Sequence, residues 1–84
     1  MQNRIFKYQS MNDLQNMIIR EKLEDSITLK EFKTGNGYST VKYSLYYNGL
    51  LISSIADEIH DSGVIREAYQ YFLGFIDAVI TLRK

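Results

Sequence analysis

Hydrophobic positions recur along this chain with two different periods, and the period changes where the elements change. Met11, Leu14, Met17 and Ile18 fall on one side at helical spacing. Ser10 followed by Asp13 resembles a capping box, and the charge-rich REKLED closes the segment on the solvent side, so the pattern predicts a helix from Ser10 to about Leu23. Ahead of it, residues 4–8 (RIFKY) are compatible with a short strand. Behind it, SITLKEFK reads as a strand and TGNG as the turn that follows.

The stretch VKYSLYYNGLLISSIA, residues 41–56, reads as two strands about an Asn48-Gly49 turn. A two-residue loop of type I′ sets Tyr47 opposite Leu50 and so fixes each pair behind it: Leu45 with Ile52, Tyr43 with Ser54, Val41 with Ala56. One face is then Val41, Tyr43, Leu45, Tyr47, Leu50 and Ile52, a core face. The other pairs Tyr46 with Leu51, Ser44 with Ser53 and Lys42 with Ile55, half polar and half apolar. Because Ile52, Ile55, Ala56 and Ile59 also keep helical spacing, with Ser54 preceding Asp57 like a cap, the strand is expected over 50–54, a short helical turn over 55–61, and a break at DSG.

The closing segment, GVIREAYQYFLGFIDAVITLRK, is the strongest helix. At 100° per residue its polar stripe of Arg66, Gln70, Asp77, Thr81 and Lys84 is narrow, and apolar side chains fill roughly 220° of the rest. A helix lying on one sheet needs less, so the surplus is expected against the first helix, a second copy or another protein. The fold expected is α+β: a three-stranded antiparallel sheet, with a fourth short strand at residues 4–8 if RIFKY pairs, packed against two helices in the order (β)-α-β-β-β-(short α)-α. With no linker or repeat, residues 1–84 are read as one domain.

The run of helix, three antiparallel strands and helix over residues 10–83, with YNG in the second hairpin, is similar in topology to double-stranded RNA-binding domains. That family grips phosphates with a basic cluster at the start of its last helix. The matching positions here read SGVIRE, with Arg66 as the one base. The resemblance therefore implies a fold, and a fold does not fix a function.

Composition narrows the rest. Ten basic residues cancel ten acidic ones, which argues against a disordered polyelectrolyte and against tight duplex binding. With no Cys, a chain of this size has no disulfide and no thiolate metal site, and its one core leaves roughly 3–5 kcal/mol of net stability. No apolar run follows the basic start, and YFLGFI stops at Asp77, short of a bilayer's span. The expectation is a soluble cytoplasmic protein with no membrane segment.

No motif names a reaction. The only His, His60 in DEIHD, reads as a solvated residue among acids, so no metal or cofactor is expected. Ser53 and Ser54 lack a nucleophile-elbow context, and the Gly-rich KTGNG is explained by a hairpin turn. Asp57, Glu58, Asp61 and Glu67 form an acidic patch that a basic partner could read. Gly74 and Ala78, four apart, permit close helix approach.

The reading these features favour is a small non-enzymatic protein-interaction module, for example an accessory or inhibitor (anti-defence) protein of a phage or mobile element, binding a protein partner, a second copy, or both. Interaction candidates are Tyr46, Leu51 and Ile55 on the hairpin and Tyr69, Leu73 and Ile76 on the last helix. The alternative is a nucleic-acid-binding domain using Lys30, Lys33, Lys42 and the tyrosines on an open sheet face.

Overall fold

The computed structural model describes residues 6–34, 40–57 and 62–83. Helix α1 (Gln9–Arg20) leads into strands β1 (Ile27–Thr34), β2 (Thr40–Tyr47) and β3 (Leu50–Asp57), and helix α2 (Ser62–Leu82) closes the chain. The strands form one antiparallel sheet in the order β1-β2-β3. Both helices supply the core on the same side of it: Met11, Leu14 and Ile18 from α1 and Ile65, Ala68, Phe72 and Ile76 from α2 are buried with Leu29, Val41, Tyr43 and Leu45. This is the two-layer solution for a sheet with one apolar face, and it is the expected architecture.

Four local expectations change. First, the helix opens at Gln9 with Tyr8 as its N-cap and no side-chain cap, so Ser10 does not cap it. Second, it ends at Arg20 and not near Leu23. Lys22 adopts φ 59°, its N–H bonds to the Ile19 carbonyl, and the Leu23 N–H reaches back to Ile18. That is the Schellman pair of bonds, built on a lysine where glycine is the usual residue, with Leu23 buried behind it.

Third, residues 6–8 are not a strand; residues 4 and 5 lie outside the described residues. Asn12 replaces a neighbouring strand. Its Oδ1 accepts the Phe6 N–H at 2.7 Å while its Nδ2 donates to the Phe6 carbonyl at 3.1 Å, which satisfies that residue's backbone and lets the Phe6 ring enter the core.

Fourth, the hairpin slips by one residue after its second pair. The turn is as expected, with φ 52° at Asn48 and 85° at Gly49, both positive as type I′ requires. Tyr47 faces Leu50 and Tyr46 faces Leu51, but Leu45 then meets Ser53, Tyr43 meets Ile55 and Val41 meets Asp57. Ile52 is the extra residue of a β-bulge. The reason lies in the spacing of Ile52 and Ile55: three apart, they cannot share one face at period two, and an inserted residue lets Ile55 pack on the core while Ser54 turns outward. The short helical turn expected over 55–61 gives way to strand through Asp57, and residues 58–61 lie outside the described residues.

Candidate interaction surface

With both helices on one side, the other face of the sheet has no layer of its own over it among the described residues. Pairing fixes what it presents. Thr28, Tyr46 and Leu51 form one row across the strands; Lys30, Ser44 and Ser54 form the next; Phe32, Lys42 and Ala56 form the third. Phe32 is 39% exposed and Leu51 is 55% exposed.

The rows are tied together by polar and aromatic contacts. The Lys30 ammonium stands 5.2 Å from the Tyr46 ring centroid, and the Lys42 ammonium stands 5.2 Å from that of Phe32. Each is a cation–π pair that contributes about 0.5–1 kcal/mol at an exposed site. Between them the Ser44 and Ser54 hydroxyls lie 3.0 Å apart. Ser44 is buried in the middle of the central strand, and this bond answers its desolvation. The covered Ser44 and its partner Ser54 thus lie between a Lys30–Tyr46 pair and a Lys42–Phe32 pair.

The opposite side of the sheet carries a polar cluster of its own. Tyr43 Oη donates to Glu31 Oε2 at 2.5 Å, and the same carboxylate oxygen accepts the Lys7 N–H at 2.8 Å. Burial first, and then the Glu31 carboxylate, push the Tyr43 phenol well above its ordinary value. The Phe6 and Tyr8 rings meet the Tyr43 ring edge to face. The cluster fastens the segment before α1 to the sheet.

Of the residues singled out from sequence, Tyr46 and Leu51 share the open face. Ile55 does not, because the bulge turns it toward the core. Ile76 is fully buried and belongs to the core, while Tyr69 and Leu73 pack partly buried against it. Lys30 and Lys42 stand on the open face; Lys33 pairs with Val41 and lies on the other side of β1. Glu67 is exposed on α2. Asp57 ends β3, and Glu58, His60 and Asp61 lie outside the described residues.

Phe32 was not anticipated, although its spacing from Lys30 places both on one strand face. A second apolar strip exists on α2. Its arc resolves into roughly 160° packed on the core and a flank where Tyr71 is 56% exposed and Leu82 82% exposed. Below it Tyr47 and Phe75 meet edge to face at 5.6 Å.

Among the described residues no group of three or more His, Asp or Glu is placed to hold a metal, and no helix is long and apolar enough to cross a membrane. No protein-family model, curated protein or solved structure matches the chain.

Proposed function

We propose that the protein is a non-enzymatic interaction module that binds a partner protein through the open face of its sheet. The observation that carries this reading is the pair of rows Thr28–Tyr46–Leu51 and Phe32–Lys42–Ala56: aromatic and aliphatic side chains on a rigid ladder, with no layer over them among the described residues while both helices pack on the other side. Aromatic residues give large contact area at low entropy cost and are enriched where proteins meet. A sheet also holds them in fixed register, which lowers the ordering cost of binding.

An accessory or inhibitor protein works by occupation alone, and the small size, balanced charge and lack of any recognisable catalytic motif suit that role in the cytoplasm, including that of a cell carrying a phage or mobile element. Association with a second copy through the exposed strip of α2 is compatible with it and uses different residues.

The test is capture from lysate of the source cells on three immobilised forms, followed by reconstitution with each purified candidate. Wild type and a Tyr71→Ser/Leu82→Ser variant should hold the same partner, and a Tyr46→Ser/Leu51→Ser variant should lose it while keeping its circular dichroism. Equal retention by the sheet variant would overturn the assignment of this face.

A further inference from the structure

We infer that a second copy of this chain pairs with the free edge of β1, antiparallel and with Phe32 at the two-fold axis, which joins two sheets into one; this goes beyond partner binding at the open face. The backbone is the first argument. β1 is an outer strand, and the Asn48 N–H donates to the Ser26 carbonyl at 2.7 Å, one step beyond the Ile27–Tyr47 pair. Antiparallel alternation then turns the backbone groups of Thr28, Lys30 and Phe32 toward β2 and those of Leu29, Glu31 and Lys33 outward. The Ile27 N–H, outward by the same count, donates to the Leu23 carbonyl at 2.8 Å. Leu29, Glu31 and Lys33 have no backbone partner on that side among the described residues. The other edge is less suited. β3 carries the bulge, and a bulge interrupts the row of donors and acceptors that an added strand would use.

Charge is the second argument, and it selects both the occupant and the register. In a two-fold pairing of β1 with itself, outward groups meet outward groups only when the axis passes at a residue position. An axis at Lys30, Glu31 or Lys33 sets like charges directly opposite each other, which is destabilising. An axis at Leu29 needs the Ile27 N–H, which is already bonded. An axis at Phe32 sets Glu31 opposite Lys33 of the second copy and, by symmetry, Lys33 opposite its Glu31. A strand from another protein would have to match this alternation of acid and base, whereas a second copy supplies it by symmetry.

The side chains suit that register. Glu31 takes the Tyr43 and Lys7 bonds on Oε2, which leaves Oε1 for a cation. Lys33 is exposed, and no described acid pairs with it; Arg83 with Glu21 is the one ion pair between described residues. Phe32 meets its own copy across a non-hydrogen-bonded pair, where Cα atoms are about 4.5 Å apart and side chains pack closely. Lys30 leans away from the edge toward the Tyr46 ring, so its charge does not guard the strand as an edge lysine otherwise does. The axis stands perpendicular to the sheet, so both open faces end on the same side and the row Ala56–Lys42–Phe32 continues into its copy.

The experiment is sedimentation equilibrium of the full-length chain from about 10 µM to about 1 mM, the range of small interfaces. Wild type should show a reversible monomer–dimer equilibrium. Lys33→Glu should weaken it roughly ten-fold or more, because both matched pairs become like-charged, and Lys33→Arg should keep it. In a mixture of isotope-labelled and unlabelled wild type, filtered nuclear Overhauser spectra should show Phe32 of one copy against Phe32 of the other, a readout that stands whether or not a variant folds. A chain monomeric at the highest concentration would overturn the inference. So would a dimer lost in Tyr71→Ser/Leu82→Ser and kept in Lys33→Glu, or contacts between copies from Lys30 to Lys30 or from Glu31 to Glu31. Tyr46 and Leu51 take no part in the pairing, so these results leave the open-face reading to the partner-capture test of their own variant.

Discussion

The Tyr43 hydroxyl donates to the Glu31 carboxylate across the β1–β2 ladder at 2.5 Å, and this bond sits where the segment before α1 joins the sheet. Tyr43 and Glu31 are direct cross-strand partners, and the carboxylate also takes the Lys7 N–H. Removing the hydroxyl as Tyr43→Phe leaves Glu31 one donor short in a partly buried place, which costs about 1–2 kcal/mol. The denaturation midpoint should fall accordingly with no change of slope. A midpoint equal to wild type would show that water replaces the hydroxyl without loss.

The same pair sets a pH dependence. Folding raises the Tyr43 phenol above its ordinary value of about 10, so the folded chain keeps this proton after the unfolded chain has lost it. The stabilisation is complete below pH 10 and declines as pH rises beyond it. Stability measured from pH 9 to 11.5 should therefore fall more steeply in wild type than in Tyr43→Phe. Parallel curves would contradict the assignment.

The bulge separates two kinds of apolar residue on one strand. Ile55 packs against the core, so Ile55→Ser should destabilise the chain by about 2 kcal/mol. Leu51 stands on the open face and is 55% exposed, so Leu51→Ser should change stability by less than about 0.5 kcal/mol. Denaturant melts of the two variants decide it, and equal losses would return β3 to the unbulged register.

Two positive-φ residues make opposite predictions. Gly49, at φ 85°, has open space where a Cβ would stand, so Gly49→Val should cost more than about 1 kcal/mol through backbone strain alone. Lys22, at φ 59°, carries that strain already, and Lys22→Gly should raise stability by about 0.5–1 kcal/mol. Thermal melts showing no gain from Lys22→Gly would mean that the lysine side chain offsets the strain.

What the sequence disclosed was set by how local each determinant is. Asn48-Gly49 carries its own turn type, and the spacing of Met11, Leu14 and Ile18 carries its own helix, so the sheet, its layer partners and the first two hairpin pairs were legible. The bulge was not, because Ile52 and Ile55 are spaced equally well for a helical turn, and only the competition between burying Ile55 and burying Ser54 resolves it. The Asn12 clamp on Phe6 joins residues whose relation depends on the path of the chain, and RIFKY reads as a strand without it. Of the surface, Tyr46, Leu51, Lys30 and Lys42 were named from sequence. Ile55 and Ile76 were misplaced because an apolar residue at an interface and one in a core look alike until the packing is known.

The claim that the open sheet face is the functional surface is tested most directly by site-specific photo-crosslinking in the source cells, with p-benzoylphenylalanine placed at Leu51 in one form and at Tyr71 in another. A covalent adduct to a distinct partner protein is expected from position 51, and none to that protein from position 71. An adduct to the partner from position 71 alone, or one from position 51 to nucleic acid and to no protein, would contradict it.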